Sequence, residues 1–199
     1  MTELVTAWQK KYPLPPKPVV ITFDDGYLDN YIYAFPILKQ YKLKATLFVV
    51  TETIGKTNIF DQAWIPKNKM ADWSQLKEMA NSGIEIGSHT LDHPKLTQLS
   101  SAEALYQIRE SKRKIESILF RPVSVFSYPH GDFNHKIAKL VQRSGYRAAV
   151  TVNRGIATPG KSRYKMKRIS VNGGYCIASF ISELERFKQP RWRGRTKHG

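Results

Sequence analysis

The chain has 199 residues, 41% of them hydrophobic, enough for one sizeable core, which excludes disorder throughout. No apolar run approaches the ~20 residues of a membrane span, and Cys176, the single cysteine, excludes an internal disulfide. The formal net charge of +16 is high, and it fits either a solvated charge run or an anionic partner, without choosing among envelope polymer, membrane surface and nucleic acid.

Residues 1–17 contain no apolar export segment and read as an N-terminal extension. That leaves a cytoplasmic chain, or one trimmed at its start. "VVITF" (19–23) is a β-branched run that predicts a buried strand. "LDNYIYAFPILKQYK" (28–42) predicts a helix with Pro36 as a kink point, and "ATLFVV" (45–50) the next strand. A loop follows to about Met70, punctuated by Gly55, Asn58 and Pro66. "SQLKEMANSG" (74–83) reads as a short helix closed by Gly83, and "IEIGS" (84–88) as a strand.

Ser100 and Glu103 form a capping-box pattern before the helix "ALYQIRESKRKIESIL" (104–119). "VSVFSY" (123–128) is a strand, "HKIAKLVQRSG" (135–145) a helix, and "YRAAVTV" (146–152) a strand. "KMKRISV" (165–171) predicts a last strand and "CIASFISELERFK" (176–188) a last helix. The tail from 186 to 199 crowds Arg186, Lys188, Arg191, Arg193, Arg195 and Lys197 together. It reads as a solvated charge run or as a contact with something anionic; no recognisable nucleic-acid module accompanies it. One domain over 18–185 thus lies between an extension (1–17) and a basic tail (186–199).

Strands alternating with helices predict an α/β fold with a mainly parallel sheet, in which chemistry gathers at the C-terminal ends of strands. Asp24 and Asp25 follow the first strand, His89 follows "IEIGS", and Pro129, His130 and Gly131 follow "VSVFSY". Within "SHTLDHP", His89 and His93 are four residues apart, a spacing that on a helical turn puts both imidazoles on one face. Alone the pair is equally at home on a surface. With a carboxylate on the same rim it becomes a hydrolytic zinc set with an open position. Adjacent residues of extended chain point to opposite sides, so one aspartate can bind a metal while the other faces a water, and Gly26 permits a sharp departure from the strand.

"TFDDG" (22–26) and "HTLDH" (89–93) resemble the first two motifs of the polysaccharide deacetylase family, the NodB-homology domains or carbohydrate esterase family 4. "KATLFVV" (44–50) and "GIEIGSHTLDHPKLTQLS" (83–100) look like its usual context, and the resemblance covers roughly Pro18 to Val171. It implies a distorted (β/α) barrel, often of seven strands, and metal-dependent removal of N-acetyl groups from sugar polymers, mostly at the cell envelope or outside the cell. By the resemblance, Asp24 is the catalytic base, and Asp25, His89 and His93 hold a divalent metal, Zn²⁺ first and Co²⁺ or Ni²⁺ next. The partner it implies is an acetylated amino-sugar polymer or oligomer.

The family's third motif, Arg-Pro-Pro-Tyr-Gly, stands here as "FSYPHG" (126–131), with Ser127 in the arginine's place and His130 in the tyrosine's. The form Phe-x-Tyr-Pro-x-Gly resembles the branch that includes poly-N-acetylglucosamine deacetylases. The His130 N–H is then the expected oxyanion donor. Arg168, in "MKRISV", is the candidate to replace the lost arginine, alongside a surface or substrate-binding role. The family's late histidine has no counterpart before His198, which makes His130 the candidate acid, ahead of His135. Tyr128 and Trp64 are candidate substrate contacts, Tyr27 and Phe133 lie near the rim, and Trp73 reads as core. The competing reading is a weakly active or inactive member that binds glycan.

Overall fold

Six short strands carry the architecture: β1 (Ile21–Phe23), β2 (Ala45–Val49), β3 (Glu85–Ser88), β4 (Val125–Ser127), β5 (Ala148–Arg154) and β6 (Met166–Arg168). The structure is a computed structural model and describes residues 1–61, 66–160 and 163–187. All neighbouring strands are parallel, and their order in the sheet is their order in the chain. The sheet curls into a half-barrel, the α/β distorted barrel the motifs imply, with six strands among the described residues where seven are usual. Val19 and Val20 lie before β1 and are exposed, so the first strand is shorter than its apolar run.

Strand alternation divides the buried side chains between two faces. Leu47, Val49, Ile86, Phe126 and Ala149 face a core shared with the helices α3 (Trp73–Asn81), α4 (Ser101–Leu119) and α5 (His135–Arg143). Trp73 packs against this core, as its sequence position suggests. Phe48, Val125, Ala148, Val150 and Met166 face the other way and surround Val5 of α1 (Thr2–Lys10).

That helix ties the N-terminal extension to the sheet. Thr2 donates its N–H to Glu85 at 3.0 Å, and Thr46 donates its hydroxyl to the same carboxylate at 3.0 Å. Glu85 and Thr46 lie at the starts of their strands, so α1 plugs the end of the half-barrel opposite the strand C-termini. A carboxylate at a helix N-terminus also complements its macrodipole.

The helix boundaries follow local chemistry. α4 begins at the expected capping box of Ser100 and Glu103, and α3 at a second box formed by Asp72 and Gln75. Upstream of Pro36 the chain forms a π-helical turn, Asn30–Ala34, before α2 (Phe35–Gln40). Pro36 has no N–H to give to the carbonyl four residues back, so the register shift falls where a bond is already lost.

Candidate active site

The strand C-termini bring Asp24, Asp25, His89, His93, His130 and Arg168 to one rim. Asp25 and Gly26 leave β1 in the left-handed region, at φ 71° and 89°. Thr90 and His93 are also left-handed, at 72° and 65°, as is His130 at 57°. Each such non-glycine residue costs on the order of 1–3 kcal/mol, and the surrounding bonds must over-determine it. Thr90 illustrates how: its hydroxyl donates to the His89 carbonyl and accepts the His93 N–H at 3.0 Å. The two histidines therefore meet through a tight non-helical turn, which corrects the helical-turn reading of their spacing.

Asp25, His89 and His93 form a candidate metal set. Each His Nε2 lies 3.4 Å from Asp25 Oδ1, and the two Nε2 atoms are 3.2 Å apart. A tetrahedral ion with arms of 2.0–2.1 Å sets its ligand atoms about 3.3–3.4 Å apart, so the three distances fit a shared cation. The His89 Nδ1 lies 2.7 Å from the Ser127 carbonyl, which can only accept. Nδ1 therefore carries the proton, and the Nε2 lone pair faces the other two ligand atoms. Asp25 Oδ1 is buried with no hydrogen-bond donor, which costs about 1–3 kcal/mol unless a cation fills the place.

The electrostatics agree. Burial, reinforced by charge on His89, pushes the His93 imidazole down to about 3, so it is neutral and ready to ligate near neutral pH. Burial also disfavours charge on His89, but Asp25 and Asp24 outweigh it and raise its pKa. The negative field that favours a proton there favours a metal cation equally.

Beside this set, Asp24 is held by the guanidinium of Arg168. Arg168 Nη1 donates to Asp24 Oδ1 at 2.9 Å and Nη2 to Oδ2 at 2.6 Å. Its other contacts are Nε to the Thr151 carbonyl at 3.0 Å, Nη1 to Thr22 Oγ1 at 3.2 Å and Nη2 to Ser127 Oγ at 3.5 Å. All five N–H groups of the fork are thus engaged within the protein, which leaves none for a substrate contact. Burial pushes the Asp24 carboxyl up, but Arg168 and the charge on His89 pull it down further, so it lies below the ordinary carboxylate range.

His130 is exposed, and its ring centre lies 4.4 Å from that of His93. Tyr128 is misplaced among the substrate contacts: it is 1% exposed, stacks on Phe133 at 5.0 Å and donates its hydroxyl to the Tyr164 carbonyl. It shares the strand face of Phe126, two residues before it, and so belongs to the core. Trp64 and the tail residues Lys188, Arg191, Arg193, Arg195 and Lys197 lie outside the described residues.

Sequence reasoning missed Phe60, whose ring centre is 4.6 Å from His93. The loop carrying it is braced by buried Asn58, which accepts the Asn68 N–H and donates to Asp61 and the Pro66 carbonyl. Tyr27 donates its hydroxyl to the same Asp61. No periodicity marks these residues; the polar cluster around Asn58 is the signal that could have found them.

Residues 11–149 match the family model described as Polysaccharide deacetylase. YxkH of Bacillus subtilis (strain 168), named for that family, is 35% identical over 86% of this chain and 58% of its own length. The poly-beta-1,6-N-acetyl-D-glucosamine N-deacetylase of Staphylococcus aureus (strain MSSA476) is 28% identical over 83% of this chain and 58% of its own. The chain thus spans somewhat more than half the length of these relatives. Among solved structures, the Streptococcus pyogenes deacetylase PplD in complex with acetate superposes with a TM-score of 0.79 at 29% identity, covering 95% of this chain and 78% of PplD.

Proposed function

Because the chain belongs to the polysaccharide deacetylase family, we propose that it hydrolyses the acetamide of N-acetylglucosamine units in a polysaccharide and releases acetate. The observation that carries this reading is the convergence of Asp25, His89 and His93 beside an aspartate held by an arginine fork. The kinship with a poly-β-1,6-N-acetylglucosamine deacetylase supports the substrate class, and the acetate held by PplD is the product such a cleavage yields.

Asp25, His89 and His93 would hold a divalent ion, Zn²⁺ by their donor types with Co²⁺ or Ni²⁺ as alternatives, which would supply Lewis acidity toward water and carbonyl and bring the pKa of a bound water from ~15.7 toward ~7. Asp24 accepts the proton of the attacking water. Its lowered basicity suits a water already made acidic, and Arg168 fixes the carboxylate while leaving each oxygen a lone pair. The His130 N–H donates to the developing oxyanion, a contribution of about 3–4 kcal/mol for one such donor. The His130 imidazole protonates the departing sugar nitrogen, because an amide anion does not leave. His130 is exposed on the rim beside His93, and His135 starts α5, so His130 is the better placed of the two.

The test is acetate release from β-1,6- and β-1,4-linked N-acetylglucosamine oligomers, peptidoglycan and acetylated xylan. Turnover on the β-1,6 oligomers is expected. Asp25→Ala should lose metal and activity together, whereas Asp24→Asn should keep its metal and lose about 10²–10⁴ in rate. Full rate in Asp24→Asn would remove it as the base. One observation favours a second reading, a glycan-binding member of weak turnover: after His93 the described residues offer only His130 and His135 as imidazole acids. Glycan binding with metal in place and no acetate released would select it.

A further inference from the structure

The basic end of the chain, 186–199, lies almost wholly beyond the described residues. α6 (Ile177–Arg186) leads into it, and its large apolar residues, Ile177, Phe180, Ile181 and Leu184, fall at the i, i+3, i+4, i+7 spacing of one helix face. A helix of a globular domain turns such a face to the core. Here Ile177 is 79% exposed, Ile181 48%, Phe180 38% and Leu184 37%. Val171 and Tyr175, just before the helix, are exposed as well.

The helix is held by a different side. Glu183 is buried and accepts from the guanidinium of Arg154 on β5, with Arg186 3.6 Å from the same carboxylate. In the sequence Arg186, Lys188, Arg191, Arg193, Arg195 and Lys197 then follow with no acidic residue among them, and Trp192 stands in their midst.

We infer that α6 and the basic run form a peripheral anchor for an anionic phospholipid bilayer. The apolar stripe enters the boundary between headgroups and acyl chains, and the lysines and arginines meet the headgroup phosphates. The charge calls for an anionic partner, and the stripe selects among anionic partners. Nucleic acid and acidic envelope polymers are hydrophilic along their length, so they would answer the charge and leave four apolar side chains in water. A bilayer answers both, and Trp192 suits the same boundary. The attachment inferred for α6 is to one face of the bilayer; no helix among the described residues is long and apolar enough to cross a membrane. Arg154 ends β5 on the side of the strand C-termini, so its pairing with Glu183 holds α6 at the same end of the half-barrel as Asp24 and His89.

Co-sedimentation of the full chain with large unilamellar vesicles tests this. Binding is expected to vesicles that contain phosphatidylglycerol, with little to phosphatidylcholine alone, and it should fall as salt is added. The double variant Phe180→Ser, Ile181→Ser should lower the partition coefficient about tenfold. The triple variant Arg191→Gln, Arg193→Gln, Arg195→Gln should lower it at least as much. Both should unfold at the temperature of the parent. The measurement needs no turnover, so it stands or falls separately from the deacetylase reading. Three results overturn the inference: no binding to phosphatidylglycerol vesicles; equal binding by the serine double variant; or a dimer that the serine substitutions split, which assigns the stripe to a second copy of this chain.

Discussion

Arg168→Lys isolates what the guanidinium contributes at Asp24. A lysine keeps one positive charge but offers three rotating donors in place of a planar fork of five. Thr151, Thr22 and Ser127 then compete with both Asp24 oxygens for those three. The expected result is a kcat lower by about 10–100-fold with metal content unchanged. A loss of bound metal would instead assign Arg168 to the integrity of the Asp25–His89–His93 set. His130→Gln probes the other proton. On acetylated glucosamine the rate should fall about 10²–10⁴, while on a nitrophenyl acetate, whose leaving group needs no proton, it should stay within about threefold. The Asp-Asp and His-x-x-x-His pairs were legible in the chain because their partners are close neighbours. Arg168 was only one option among several, because its partner lies 144 residues away and no local pattern links the two. Tyr128 was misread although strand parity with Phe126 already placed it in the core.

At the scale of elements, the β-branched and aromatic runs announced five of the strands, and β6 was legible from its place in the alternation. The 89–93 segment was not, because the same four-residue spacing arises from a helical turn or from a turn that bends through two left-handed residues. α1 was missed for a different reason. Nine residues rarely hold a helix by propensity alone, and this one depends on Val5 meeting the inner face of the sheet. The turn that presents His130 depends on Gly131, which sits at φ 68° with its missing Cβ only 2.3 Å from Val152 Cγ2. Gly131→Ala should therefore cost about 1–3 kcal/mol, read as a fall in unfolding temperature of about 2–4 °C for each kcal/mol. Turnover should fall as well, because the turn cannot keep both its backbone angle and its distance from β5.

Across the whole molecule, the half-barrel has two ends with separate duties. One end carries the rim chemistry, and the other is closed by α1. Val5→Asp places an unpaired carboxylate among Phe48, Val125, Ala148, Val150 and Met166. The cost should be about 3–5 kcal/mol, measured as loss of thermal stability. Protein that remains folded should keep its metal stoichiometry, since the ligands stand at the opposite end.

Arg168 also has a meaning in time. Asp24, Asp25, His89 and His93 are all synthesised before β4, and the ligand turns are built from residues near one another in the chain. Arg168, which holds the Asp24 carboxylate, comes from β6, the last strand among the described residues, and reaches β1, the first, across the open side of the half-barrel. A chain still emerging from the ribosome therefore has all three candidate metal ligands long before Asp24 has its arginine. Under the proposed function, the base gains its orientation only once β6 has paired with β5.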